Sequence, residues 1–139
     1  MPTDPCTRIR DLLQAFWTSD WDALMPLFAD DAVYEDPLLP EPVRGRDEIQ
    51  RVLAYCHAWA AFHNDIRTVF GTDRLVAAEL RIAGRVTAAI DELPPNAVGK
   101  QFSFAETDVF ELREDGLVGR MSIYADTMTF MKQVGGWNA

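Results

Sequence analysis

The sequence predicts an α+β fold in which helices cover one face of an antiparallel sheet. Apolar residues recur every three or four positions in the first part of the chain and every second position in the second part. Helices and strands that are segregated in this way are typical of the α+β class. The 139 residues, 48% of them hydrophobic and 25% charged, suffice for one domain over 1–139, and no internal repeat is present.

Four helices are predicted from apolar residues that lie three and four positions apart. The first helix rests on Ile9, Leu12, Leu13, Phe16 and Trp17. The second helix is short and rests on Trp21, Leu24, Leu27 and Phe28, with Ser19 or Asp20 as its cap. The third runs from about Asp47 to about Phe62, and its wide apolar arc indicates contact with the sheet and with a ligand or a partner subunit. The last runs from Thr127 to Val134 and ends at the glycines that follow.

Five strands are predicted, over 32–36, 65–70, 74–90, 101–112 and 117–126. A loop with three prolines joins the first strand to the third helix over 37–45, and a second loop occupies 91–99. A long curved sheet wrapped around a helix leaves a cone whose open end can hold a ligand. We therefore expect a mainly apolar pocket between the helices and the sheet.

The strand over 101–112 carries the most informative pattern. Because side chains alternate between faces, one face should bear Phe102, Phe104, Glu106, Asp108, Phe110 and Leu112. A buried carboxylate is costly unless it is paired, hydrogen-bonded or protonated, so this face indicates an apolar cavity with a polar centre. The apolar flanks favour a raised pKa and a donor role for Asp108. Glu106 could share a proton with Asp108 or pair with Arg81 or Arg85 at the sheet edge, and a one-residue bulge would turn either acid outward.

Composition excludes several function classes. The net charge of −9 argues against binding to a phosphate backbone. No apolar run is long enough to span a bilayer and the N-terminus does not resemble a secretory signal, so we expect a cytoplasmic protein with no membrane partner. Cys6 and Cys56 lack metal-type spacing, and Cys56 fits a small core residue rather than a nucleophile. His57 and His63 are expected at a helix surface or end, and no metal, phosphate-loop or dinucleotide motif is present.

Three segments resemble a known family. The run Phe28-Ala29-Asp30-Asp31-Ala32-Val33-Tyr34-Glu35-Asp36-Pro37, followed by Glu41-Pro42 and Gly45, is similar to the equivalent stretch of bacterial ketosteroid isomerases. The hairpin over 108–118 resembles their last hairpin, and the ending over 126–135 resembles the tail of polyketide-cyclase-like members. The chain thus resembles the nuclear-transport-factor-2-like superfamily, specifically its SnoaL-like and ketosteroid-isomerase-like members. That resemblance implies a cystatin-like fold, a cone-shaped curved antiparallel sheet around three N-terminal helices.

The resemblance also implies roles for individual residues. Asp36 falls where ketosteroid isomerases keep their general base, and Asp108 falls where they keep the protonated carboxylic acid of the oxyanion hole. The same position could instead make Asp36 a cap of the turn that follows it. Leu12 occupies the place of the isomerases' oxyanion-hole tyrosine, which leaves Tyr34 and Tyr55 as replacement donors by residue type alone.

Other relatives match less well at their catalytic positions. Ile123 stands where polyketide cyclases and limonene-type epoxide hydrolases carry a catalytic aspartate on the final strand. Glu106 stands where the epoxide hydrolases carry an arginine. This set of residues does not reproduce their water-activating triad.

These observations predict a small-molecule-binding enzyme of the ketosteroid-isomerase-like or SnoaL-like type. It would run cofactor-free acid–base chemistry, an isomerisation or a cyclisation, on a hydrophobic ligand that contains a carbonyl group, with Asp36, Asp108 and Glu106 as catalytic residues. The expected substrate-binding residues are Leu12, Phe16, Tyr34, Val52, Tyr55, Trp59, Phe102, Phe104, Met121 and Ile123. The expected assembly is a homodimer. Epoxide opening stays open as an alternative, as does a non-catalytic ligand-binding or dimerisation module, which the loss of the tyrosine and of the last-strand aspartate supports.

Overall fold

The structure is a computed structural model that describes residues 3–137. Its helices are α1 (Pro5–Trp17), α2 (Trp21–Leu24), α3 (Arg46–Trp59) and α4 (Thr127–Val134), with a short 3-10 helix over Met25–Leu27. Its strands are β1 (Phe28–Glu35), β2 (Val43–Arg44), β3 (Ala60–Gly71), β4 (Leu75–Val86), β5 (Gln101–Leu112) and β6 (Val118–Ala125). The predicted α+β class is confirmed, with the helices packed against an open, curved sheet of six strands.

The strands form one sheet in the order β2-β1-β6-β5-β4-β3. Neighbouring strands run antiparallel, except that β1 and β6 pair parallel to each other, with Tyr34 opposite Met121. The sheet is therefore mixed rather than wholly antiparallel. Hairpins impose antiparallel pairing from β3 to β6, whereas β1 reaches β6 through most of the chain and is not bound by a short turn.

Local capping explains where the first and last helices begin and end. The Asp4 carboxylate accepts the Thr7 amide N–H at 3.0 Å and caps α1, and the Asp126 carboxylate accepts the Thr129 amide N–H at 3.1 Å and caps α4. Helix α4 ends at Gly135, whose φ of 87° lies in the left-handed region that glycine adopts without strain. The predicted bounds of α4 are confirmed.

Several predicted boundaries are wrong, most of them because long-range pairing overrides the local pattern, and the strand predicted over 74–90 ends at Val86. The second helix stops before Phe28, which is the first residue of β1 and packs at zero exposure in the core. The third helix ends at Trp59 rather than Phe62, because residues 60–62 pair with β4, where Phe62 lies opposite Gly84. The loop over 37–45 contains β2, in which Val43 pairs with Tyr34 of β1.

Helix α4 is tied to the free edge of β5. Strand β6 ends opposite Glu106, so the backbone of β5 over 101–105 has no strand neighbour on that side. There the Gln133 carboxamide accepts the Ser103 amide N–H at 2.7 Å and donates to the Ser103 carbonyl at 3.0 Å. One side chain thereby replaces a missing strand partner and holds α4 across this end of the sheet.

Within residues 3–137, no helix is both long and apolar enough to cross a membrane.

Candidate active site

A cavity lies between the helices and the inner face of the sheet, with walls from α1, α3, α4 and strands β1 and β4–β6. It encloses about 120 Å³. A void of about this size admits a single aromatic ring, so part of a larger ligand would extend toward the mouth. Leu38, which lines the cavity and is 52% exposed, marks that mouth.

Most of the predicted binding residues line this cavity. The ones that do so are Leu12, Phe16, Tyr34, Trp59, Phe102, Phe104, Met121 and Ile123. Two predicted residues lie elsewhere. Val52 packs against the core outside the cavity wall, and Tyr55 is 43% exposed, with its hydroxyl donating to the Glu92 carboxylate at 3.0 Å. Both were predicted from the wide apolar arc of α3. The arc alone does not show which of its residues face the cavity, because that depends on the element packed against the helix.

Glu106 and Asp108 both line the cavity. The pairing of β5 with β4 runs without a shift from Leu75 opposite Glu111 to Arg85 opposite Gln101, so no bulge reverses the alternation of side chains. Arg81 pairs with Ala105, the residue before Glu106, so Arg81 and Glu106 belong to opposite faces of the sheet. Glu106 forms no salt bridge with any residue of the described chain, so the predicted alternative of an edge ion pair with Arg81 or Arg85 is wrong.

Asp108 is the most deeply buried carboxyl group of the site. It is 2% exposed, and its Oδ1 atom has no hydrogen-bond partner. Burial raises the pKa of Asp108 well above its ordinary value, and the neighbouring carboxylates of Glu106 and Asp36 raise it further. Burial also raises the pKa of Glu106, although its hydrogen bond with Asp108 acts in the opposite direction. Burial therefore favours the protonated form of Asp108, which is a carboxylic acid able to donate a hydrogen bond.

Asp36 reaches the cavity from the end of β1. Its Oδ2 atom accepts the Tyr34 hydroxyl at 2.8 Å, and its Oδ1 atom accepts the Leu38 amide N–H at 2.9 Å. Asp36 therefore caps the turn that follows it and also lines the cavity. Tyr34 is 3% exposed, and burial, followed by the charge of Asp36, raises the pKa of its phenol well above the ordinary value. Tyr34 consequently keeps its proton and orients the Asp36 carboxylate.

Cys56 lines the cavity beside this group, which its helical pattern did not reveal. Burial, then the charges of Asp36 and Glu106, raises the pKa of the Cys56 thiol to about 12. The thiol is thus protonated and unreactive, in agreement with the prediction that Cys56 is not a nucleophile. His57 lies near the end of α3 as expected, with Nε2 2.9 Å from the Phe16 carbonyl oxygen, whereas His63 lies in β3 rather than at a helix.

Several wall residues were missed by the sequence interpretation as site residues. They are Leu13, Trp17, Leu38, Leu53, Phe62, Ile82, Ala125, Thr127 and Phe130. Their apolar periodicity predicted core positions for most of them, and in this fold the core and the cavity wall are one layer. In the part of the chain that the structure describes, no three acidic, histidine or cysteine side chains converge in the manner of metal ligands.

The fold has many solved relatives. A candidate polyketide cyclase from Xanthomonas campestris pv. campestris has 22% identity and a TM-score of 0.80, over 94% of this chain and 99% of that one. IdmH from Streptomyces antibioticus, a candidate polyketide cyclase, has 22% identity and a TM-score of 0.80, over 96% and 99%. An LEH-like epoxide hydrolase from M. tuberculosis has 19% identity and a TM-score of 0.72, over 94% and 88%. At these identities the likeness establishes the fold alone.

Membership of a family follows from sequence. No curated protein gives a significant match to the chain. The sequence model of the SnoaL-like domain matches residues 9–121, a span that runs from α1 to β6 and includes every carboxyl group of the cavity. The chain therefore belongs to the SnoaL-like domain family.

Proposed function

We propose that this protein is an enzyme that shifts a proton next to a carbonyl group of a hydrophobic ligand, in an isomerisation or a cyclisation. One observation carries the proposal. Asp36 and Asp108 arrive from different strands at one apolar cavity, the first as a carboxylate held by Tyr34 and the second as a buried acid. A base opposite a proton donor is the arrangement that enolate chemistry needs.

The proposed reaction uses only side chains. Asp36 takes a proton from the carbon next to the carbonyl group, the electron pair of that C–H bond forms a C=C bond to the carbonyl carbon, and the π electrons of the C=O bond move onto the oxygen. The Asp108 carboxylic acid donates a hydrogen bond to the developing oxyanion, and Asp36 then returns the proton to the same or another carbon. Tyr34 keeps the base in place, and Glu106, beside Asp108, tunes the acidity of that donor.

Hydrogen exchange tests the proposal without knowledge of the natural substrate. β-Tetralone, a fused bicyclic ketone, should exchange its α-hydrogens for deuterium faster in the presence of the protein, as followed by NMR in D2O. Because a positioned base contributes about 10²- to 10⁴-fold, Asp36→Asn should lower the catalysed rate by about that factor. Asp108→Asn should lower it by a factor of about 10² or more, as for loss of an oxyanion donor.

A matched control is Glu79→Gln, which changes an exposed carboxyl group on the outer side of β4. This variant should exchange β-tetralone like the wild type. If neither Asp36→Asn nor Asp108→Asn changes the rate for β-tetralone or for other enolisable ketones of similar size, the assignment of the two aspartates is wrong.

A second candidate is a non-catalytic ligand-binding module. Leu12, 1% exposed, lines the cavity where the related isomerases would offer a tyrosine, and Ile123 lines it where cyclases and epoxide hydrolases would offer an aspartate. Saturable binding of ketones without any exchange that depends on Asp36 would favour this function. The predicted homodimer is also kept as a proposal, and light scattering of the purified chain would test it.

A further inference from the structure

The cavity is electrostatically one-sided. Three carboxyl groups line it, those of Asp36, Glu106 and Asp108, and among the described residues no lysine, arginine or histidine does so. Asp108 is 2% exposed and its Oδ1 atom has no partner. Buried acids normally have a counter-charge or a full set of hydrogen bonds. A positively charged group of a ligand would therefore complement this cavity, because the protein supplies no such charge.

Glu106 is the acid that the proposed proton shift uses least. It lies two residues before Asp108 on the same face of β5, opposite Ala125, which is the last residue of β6. No cation of the described chain pairs with it, and burial raises its pKa. The titratable groups that act on it or that it acts on are Asp108, Asp36 and Cys56, none of which can carry a positive charge.

Aromatic rings line the same cavity as this acid. Phe104, two residues from Glu106 on the same face, lies 5.9 Å from Phe102 and 5.4 Å from Phe130 between ring centroids. Trp59 completes the group, at 6.3 Å from Phe102 and 6.0 Å from Phe130. All four rings line the cavity. Aromatic faces attract organic ammonium groups, and they do so most strongly where water is excluded.

We propose that the cavity binds a hydrophobic ligand that carries a protonated amine, with the ammonium group anchored by Glu106 and seated against the rings around Phe104. The inference rests on the proposed function only in taking this cavity as the ligand site. The ammonium N–H groups would donate charge-assisted hydrogen bonds to the Glu106 carboxylate and supply the positive charge that no described residue of the cavity wall supplies. Anionic ligands would be repelled by the carboxylates of Asp36 and Glu106.

Three probes with one carbon skeleton test the proposal by calorimetry near neutral pH. They are β-tetralone, the corresponding 2-aminotetralin and the corresponding tetralin-2-carboxylate, which are neutral, cationic and anionic. A hydrogen bond to a charged group corresponds to a preference of about 10- to 100-fold, so the amine should bind that much more tightly than the ketone. The carboxylate should bind more weakly than the ketone. At any pH at which Glu106 is protonated in the free protein, binding of the amine should also release a proton. Calorimetric titration in buffers of different ionisation enthalpy detects this release.

Glu106→Gln should abolish the preference for the amine over the ketone, whereas Glu79→Gln, on the exposed side of β4, should retain it. An amine that binds the wild-type protein no more tightly than the ketone overturns the inference, as does a preference that survives Glu106→Gln. The two proposals fail separately. A Glu106-dependent preference for the amine without Asp36-dependent exchange of β-tetralone or of other enolisable ketones of similar size would overturn the proton-shift function alone. Asp36-dependent exchange without that preference would overturn the amine site alone.

Discussion

Replacement of Asp108 by asparagine should stabilise the protein at neutral pH. Asparagine has nearly the same shape as aspartic acid but cannot ionise. Asp108 is 2% exposed, and burial, followed by the charges of Glu106 and Asp36, raises its pKa well above the ordinary value of about 4. The folded wild-type protein therefore retains a proton that the unfolded chain has already lost, and folding is coupled to proton uptake.

The sign and size of the effect follow from that coupling. Between the unfolded pKa and the raised folded pKa, the native state binds more protons than the unfolded state, so the free energy of unfolding falls as pH rises. One proton corresponds to about 1.4 kcal/mol per pH unit, and the raised pKa of Glu106 allows a slope of up to about twice that value. Asp108→Asn should reduce the slope of the wild type by about 1.4 kcal/mol per pH unit within the window.

Urea denaturation from about pH 4 to about pH 8 measures the difference. The difference in stability between the two proteins at each pH isolates Asp108, because the exposed carboxylates contribute equally to both. Asp31 is one of these carboxylates. Its hydrogen bond with Arg113 lowers its pKa, so its stabilising contribution is lost as the pH falls. Below about pH 4, Asp108 is protonated in both states and the two curves should converge to a constant offset. Parallel curves over the whole range would mean that Asp108 is not held neutral by the fold.

Three further substitutions test other parts of the structure. Tyr34→Phe removes the hydroxyl that donates to Asp36 at 2.8 Å. The variant should lose about 1 kcal/mol of stability and exchange β-tetralone about tenfold more slowly. An unchanged exchange rate would show that the phenol does not orient the base. Gln133→Ala removes both bonds to the backbone of Ser103 and should cost about 1 kcal/mol, with faster amide exchange at Ser103 as the specific sign. Phe110→Ala truncates a side chain with zero exposure and should lower the free energy of unfolding by about 3–5 kcal/mol, and a loss below about 1 kcal/mol would contradict its core position.

The candidate site shows how far local patterns reach. Alternation along a strand is a property of the backbone, so the face shared by Glu106 and Asp108 could be predicted once the strand was recognised. The prediction depended on one condition that the sequence could not supply, the absence of a bulge, and the continuous pairing of β5 with β4 meets it. The hydroxyl of Tyr34 on Asp36 is different. The two residues are close in sequence, but their contact depends on the turn after β1.

The errors have a common physical origin. Residues 60–62 continue the helical pattern of α3, yet they pair with β4, because backbone hydrogen bonds to a distant strand outweigh a weak local preference. Tyr55 and Cys56 are neighbours on α3, and only the packing of that helix against the sheet places Cys56 in the cavity and leaves Tyr55 in solvent. Side chains on a broad apolar arc cannot be sorted until the facing surface is known.

The sequence by itself determined the α+β class and the strand that carries two acids on an apolar face, and its net charge of −9 predicts that the protein does not bind nucleic acid. These properties are set by period, composition and net charge, which need no knowledge of distant contacts. Only the tertiary structure decided that Asp36, Glu106 and Asp108 meet in one cavity, that Tyr34 holds the first of them, and that no cation of the described chain lines it. Those properties depend on how elements far apart in sequence converge, and it is that convergence which gives three ordinary carboxyl groups a buried environment.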